Sequence, residues 1–101
     1  MKLVLTTVEN LHQADDLARR LLEKKLAACV SSFPVKSTYW WESKIERSDE
    51  ILLLIKTSDE RLEDLLEFLS EEHPYEVPEI IVLPVEGVGE PYERWIRDVT
   101  L

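Results

Sequence analysis

Only two glycines, Gly87 and Gly89, occur in the 101 residues. A phosphate-cradling loop needs glycines clustered before a helix, so glycine-rich nucleotide binding is disfavoured, and no Walker, zinc-finger or catalytic-triad motif appears. Cys29 is the only cysteine, so no internal disulfide can form. His12 and His73 are the only histidines, which leaves few nitrogen and sulfur ligands for a soft metal. Asn10 and Gln13 are the only side-chain amides. Basic residues are outnumbered 12 to 21 by acidic ones, giving a net charge of -9. Such a chain makes a poor partner for nucleic acid, which requires a Lys/Arg surface to displace counterions, and for an anionic membrane. No apolar run reaches transmembrane length, and the run after Met1 is too short for a signal peptide.

These absences point to one soluble cytosolic domain over residues 1–101. The 45% apolar content is enough for a core. Abundant Glu, Lys and Arg with few amides resembles the composition of a thermostable protein. The acidic excess is sufficiently explained by solubility, although it would also attract cations.

Leu3 to Thr7 reads as a short strand. Asn10 is placed to cap a helix, with Gln13 as the return partner of a capping box. Ala14, Leu17, Ala18, Leu21 and Leu22 fall on one helical face, with Arg19, Arg20, Glu23, Lys24 and Lys25 outside it or at its end. Ala27 to Trp41 is strand-like, and Pro34 marks an edge position or bulge. Glu42-Ser43-Lys44 is the expected hairpin tip. Ile45 to Lys56 returns, and its apolar run Ile51 to Ile55 suggests a strand covered on both faces. Thr57 or Ser58 is the expected cap of a second helix, with Asp59 and Glu60 in its first turn. Leu62, Leu65, Leu66 and Leu69 form its stripe, and His73-Pro74 ends it. Glu79 to Glu86 is a further strand. Pro91 opens a last helix whose face is Tyr92, Trp95, Ile96 and Val99.

The order β-α-β-β-α-β-α predicts an α+β fold, the ferredoxin-like βαββαβ pattern with an additional C-terminal helix. Both core helices then cover one face of a four-stranded antiparallel sheet with an extended β2-β3 hairpin. The other face is left open, and self-association is the economical way to cover it. Tyr39, Trp40 and Trp41 sharpen that expectation. Successive strand side chains point to opposite faces, so Trp40 and Trp41 cannot both enter one core.

Five segments together carry a resemblance. They are Leu26-Ala27-Ala28-Cys29-Val30, Tyr39-Trp40-Trp41-Glu42-Ser43-Lys44-Ile45-Glu46, Lys56-Thr57, His73-Pro74-Tyr75-Glu76-Val77-Pro78-Glu79-Ile80-Ile81, and Tyr92 with Trp95-Ile96. In this order, nearly end to end, they resemble the CutA divalent-ion tolerance family. The resemblance implies a non-enzymatic homotrimer with long hairpins pairing between neighbours, linked to tolerance of copper and other divalent ions and related in architecture to PII signalling trimers. It implies no obligatory cofactor, with Cu²⁺ or another divalent cation as the ion concerned. The mechanism would be weak metal binding or signalling through a ligand in the inter-subunit cleft. The alternative is a small-molecule sensor or scaffold that recruits another protein and binds no metal directly. Two departures stand out. Ser43 occupies the hairpin tip where the family has glycine, and a left-handed serine costs about 1 kcal/mol. Thr6 and Glu72-His73 stand where some members carry a cysteine and two adjacent histidines for copper.

Each candidate has two readings. His73, with Glu72 beside it, is the metal candidate, or else it serves a helix C-terminus. Cys29 is a buried inert thiol or a reactive or metal-binding one. Lys56 forms an ion pair with Glu79 or Glu42 of a neighbour, or holds an anionic ligand. Cys29, Trp41, Glu42, Lys56, Tyr75, Glu79 and Trp95 are the candidates for an inter-subunit cleft and its ligand, the aromatics among them being otherwise packing residues. Tyr39, Trp40 and Trp41 form the trimer interface. An enzyme using Cys29 or Lys56 with His73 would need them within hydrogen-bond reach.

Overall fold

The computed structural model describes residues 1–101. Strand β1 (Lys2–Val8) leads to helix α1 (Leu11–Glu23). A long hairpin follows, β2 (Cys29–Trp41) and β3 (Lys44–Thr57), then a 3₁₀ turn (Asp59–Arg61) and α2 (Leu62–Glu72). Strand β4 (Ile81–Pro84) and α3 (Glu90–Val99) complete the chain. The antiparallel sheet has the order β2-β3-β1-β4, as the ferredoxin-like pattern requires. Pro34 lies on β2, the edge strand, which has a neighbour on one side only, where proline is tolerated. No helix is long and apolar enough to cross a membrane.

Local chemistry sets the first helix. The Asn10 side chain accepts the Gln13 N–H at 2.9 Å, and the Gln13 amide oxygen accepts the N–H of Glu9 at 2.9 Å. The expected box is therefore present, with its return bond one residue earlier than the usual partner. At the other end Lys25 is left-handed, with φ 57°, and the chain reverses into β2.

The core is one-sided. Val4, Val8, Leu53 and Ile55 from the sheet pack against Ala14, Leu17 and Leu21 of α1 and Leu65 and Leu69 of α2. Residues in register on the opposite side form a second, uncovered apolar surface. There Leu3, Leu5, Leu52 and Leu54 are half-buried, and Phe33, Ile81 and Leu83 are exposed.

Several expectations need correction. Within one protomer the Ile51 to Ile55 run is covered on one face only, because both helices pack on the same side. Leu22 is exposed, since the α1 stripe is narrower than its apolar residues allow. Neither Thr57 nor Ser58 caps α2 with its side chain. The Thr57 hydroxyl donates to the Leu26 carbonyl at 2.8 Å and the Ser58 hydroxyl accepts from Thr100 at 3.0 Å, so both are committed to distant partners. Asp59 is drawn to the N-terminal ammonium of Met1 at 3.2 Å, and a 3₁₀ turn precedes the helix. Strand β4 pairs only from Ile81 to Pro84, against Leu5 to Lys2 of β1. On α3 only Ile96 is buried; Tyr92, Trp95 and Val99 remain exposed because nothing in the protomer covers them. The hairpin tip places both Glu42 (φ 49°) and Ser43 (φ 65°) in the left-handed region, a two-residue turn in which Trp41 pairs with Lys44.

Candidate functional site

The outer half of the hairpin and the segment after α2 enclose an open cleft of about 870 Å³. Tyr39, Trp40 and Trp41 form one wall; Pro74, Tyr75 and Val77 form the other, with Glu50 and Glu79 also lining it. Tyr75 is anchored here by donating its hydroxyl to the Glu50 carboxylate at 2.7 Å. Burial, followed by the hydrogen bond to Glu50, holds its phenol well above the ordinary tyrosine range. Across the hairpin the Tyr39 and Ser48 hydroxyls are 2.7 Å apart.

His73 stands behind the Tyr75 wall. Proline at 74 forces it out of the helix, into extended backbone (φ −66°, ψ 139°), at the C-terminus of α2. Its Nδ1 accepts the backbone N–H of Tyr75 at 2.9 Å. That acceptance places the ring proton on Nε2, which lies 3.0 Å from the Thr7 carbonyl and 2.9 Å from the Thr6 hydroxyl. Thr6 is fully buried, so its hydroxyl requires this partner. Burial pushes the His73 pKa below its usual value and outweighs the opposing effects of the Thr7 carbonyl and Glu50. Glu72 forms an ion pair with Arg20, whose guanidinium also lies over Phe68.

These contacts bear on a bound ion. Both His73 nitrogens are already bonded and the Glu72 carboxylate is engaged elsewhere. No group of three or more His, Cys, Asp or Glu side chains converges anywhere in the protomer. A soft divalent ion needs several convergent lone pairs, so Glu72 and His73 as arranged do not fit one.

The remaining candidates divide. Trp41, Tyr75 and Glu79 meet in the cleft with Tyr39 and Trp40. Glu42 sits at the hairpin tip, and Trp95 lies on α3, tilted against Tyr92 with ring centres 5.6 Å apart. Lys56 and Cys29 are cross-strand partners at the far end of the sheet, level with Leu3. Within the protomer the Lys56 ammonium reaches the Ser31 hydroxyl at 3.1 Å and the Cys29 sulfur at 3.8 Å. His73 touches β1 at Thr6 and Thr7, three and four residues along the strand, which at about 3.3 Å per residue is about 10–13 Å away. The chain thus holds no Cys–His or Lys–His pair poised for general catalysis. Sequence reading missed Glu50 and Thr7, because their roles depend on the strand register and on a loop that returns from the end of α2.

Comparison with known proteins agrees with this architecture. The family described as "CutA1 divalent ion tolerance protein" matches residues 2–99. The chain is 41% identical over 101 residues to "Divalent-cation tolerance protein CutA" of Thermotoga maritima, covering the whole of both. It is 45% identical over 95 residues to human "Protein CutA", covering 93% of this chain and 53% of the human protein, so it spans about half the length of that relative. It superimposes with a TM-score of 0.95 on the "Periplasmic divalent cation tolerance protein CutA" of Archaeoglobus fulgidus, at 37% identity and full coverage of both chains. The four-stranded sheet, the long hairpin, the motif order and the near-complete coverage lead to one conclusion: the chain belongs to the CutA1 divalent ion tolerance protein family.

Proposed function

We propose that this chain acts in divalent-ion tolerance as a homotrimer that responds to a ligand held in the cleft between hairpin and post-α2 loop. One observation carries the reading. A single chain leaves an apolar sheet face uncovered and a projecting hairpin bearing Trp40, Trp41 and Ile45 exposed. Contiguous exposed apolar surface of this kind marks an interface, and copies related by a three-fold axis would each cover a neighbour's surface through a heterologous contact that closes into a ring. The neighbouring subunit would then close the open side of the cleft, bringing Trp41, Tyr75 and Glu79 into an inter-subunit site. Sedimentation equilibrium at micromolar concentration tests this: three chain masses are expected, and a monomer would defeat it.

The geometry favours the sensor or scaffold form of this function over direct metal capture, because Glu72 and His73 are otherwise occupied. The second reading, weak binding of Cu²⁺ or Zn²⁺, retains support from the family's description and from the acidic net charge. Titration calorimetry separates the two. Heat above buffer that vanishes in His73→Ala would restore His73 as a ligand. The single free thiol, with no disulfide to maintain, suits the cytosol. The Archaeoglobus protein, by contrast, is described as periplasmic, so fractionation of the expressing cells decides the compartment.

A further inference from the structure

We infer that His73 is a positioning residue for the cleft rather than a ligand of a divalent ion: its neutral imidazole ties the Tyr75 wall to strand β1. The inference rests on the reading of the cleft as the ligand site.

Tyr75 is the only side chain of the post-α2 loop hydrogen-bonded to the hairpin, through Glu50 of β3 at 2.7 Å. Its ring can reach Glu50 only if its backbone is held at the right place, and the segment around it has no helix or strand to hold it. His73 supplies the hold. One ring nitrogen accepts the Tyr75 N–H, and the other meets the Thr7 carbonyl and the Thr6 hydroxyl of a central strand, 66 and 67 residues away in sequence. The ring also packs against Tyr75, with centres 5.1 Å apart. Each end of the imidazole therefore has a separate job, and both jobs require the same tautomer, unprotonated at Nδ1 and protonated at Nε2. A metal at either nitrogen would displace one of the two anchors. The charged groups near this link are Glu50 on β3, Glu9 after β1, and the Arg20–Glu72 pair joining α1 to α2; none replaces either bond.

The two jobs can be separated by substitution. Asparagine at 73 can accept the N–H two residues on, as in an Asx turn, but is too short to reach Thr7. Glutamine extends further and can donate to the Thr7 carbonyl, leaving the Tyr75 N–H without its acceptor. In the intact protein, ¹⁵N-histidine NMR should show His73 protonated at Nε2 alone and unchanged by equimolar Zn²⁺, with exposed His12 as the internal reference. Tyr75 amide exchange should stay near the wild-type rate in His73→Asn and rise at least tenfold in His73→Gln. A Zn²⁺-induced shift of the His73 nitrogens, or the opposite tautomer, would overturn the inference without any variant having to fold. Equal Tyr75 exchange in all three proteins would overturn it as well. Sedimentation of the same samples keeps the two readings apart: a monomer with the expected tautomer defeats the trimer alone, and a trimer whose His73 binds zinc defeats this inference alone.

Discussion

Lys25→Gly should stabilise the protein by a net of about 0.5–1 kcal/mol. Lys25 follows the last turn of α1 with φ 57°, so an L-residue with a Cβ occupies the left-handed region. The surrounding bonds explain why the chain tolerates this. The Lys25 N–H reaches the Leu22 carbonyl at 3.0 Å and the Leu26 N–H reaches the Leu21 carbonyl at 2.9 Å. This crossed pair is a Schellman motif, in which glycine normally takes the left-handed position. Leu21 and Leu26 belong to the same buried cluster, which supplies the motif's hydrophobic contact and holds Lys25 in place. Relief of the left-handed conformation is worth about 1–2 kcal/mol. Glycine gives back about 0.4–1 kcal/mol through the entropy of the unfolded chain, so the gain survives at roughly half its gross size. Lys25 is exposed and engages in no ion pair, and its replacement moves net charge from -9 to -10. Lys25→Ala controls for that change, since it removes the same charge and keeps the Cβ. Urea unfolding at one fixed chain concentration is the assay, because the proposed assembly would make the midpoint depend on concentration. The expected order of midpoints is Gly above both Ala and Lys, with m unchanged. A glycine variant at or below the alanine variant would refute the reasoning.

At the hairpin tip, Glu42→Asn with Ser43→Gly should slow amide exchange in the outer ladder from Tyr39 to Glu46, since both positions have positive φ and this pair suits the turn; unchanged exchange would count against it. Trp40→Ala or Trp41→Ala should raise the concentration at which the assembly dissociates while leaving the far-ultraviolet circular dichroism intact, because neither ring enters the protomer's core; an unaltered oligomer with a normal melting curve would contradict this. Burial lowers the His73 pKa in the folded state, so the unfolded chain takes up that proton first. The contribution of neutral His73 is complete above the unfolded value of about 6.5 and is lost as pH falls through the folded value. Urea midpoints should therefore fall more steeply on acidification below that point for wild type than for His73→Asn; parallel curves would exclude the coupling.

Where the sequence was legible, the determinants were local. Asn10 and Gln13 cap a helix from three residues apart, Pro34 identifies an edge strand, and His73-Pro74 ends α2. Periodicity fixed the element order and most of the core, from Leu17 and Leu21 to Leu65 and Leu69. What stayed hidden was set by distant partners. Ser58 looks like a cap until Thr100, 42 residues later, takes its hydroxyl. Asp59 looks like a first-turn acid until the chain's own ammonium reaches it. The same holds in the candidate site. His73 was visible as a special residue, but its partners Thr6 and Thr7 and the Tyr75–Glu50 bond follow only from how the post-α2 loop folds back on β1 and β3.

Hydrophobic periodicity states which side chains require cover, and not what covers them. The protomer meets that requirement on one face of the sheet and leaves it unmet in three places. These are the opposite face around Phe33, Ile81 and Leu83, the outer hairpin at Trp40 and Ile45, and the α3 stripe of Tyr92, Trp95 and Val99. Each is a segment that sequence patterning alone would assign to a core. Apart from Leu22 on α1, the mismatch is therefore not scattered over the chain. It is concentrated on surfaces where a second copy would complete the burial. A polar substitution at Phe33 should accordingly cost the protomer little and the assembly much, the reverse of what the same change would do at Leu53, which is fully buried against the helices.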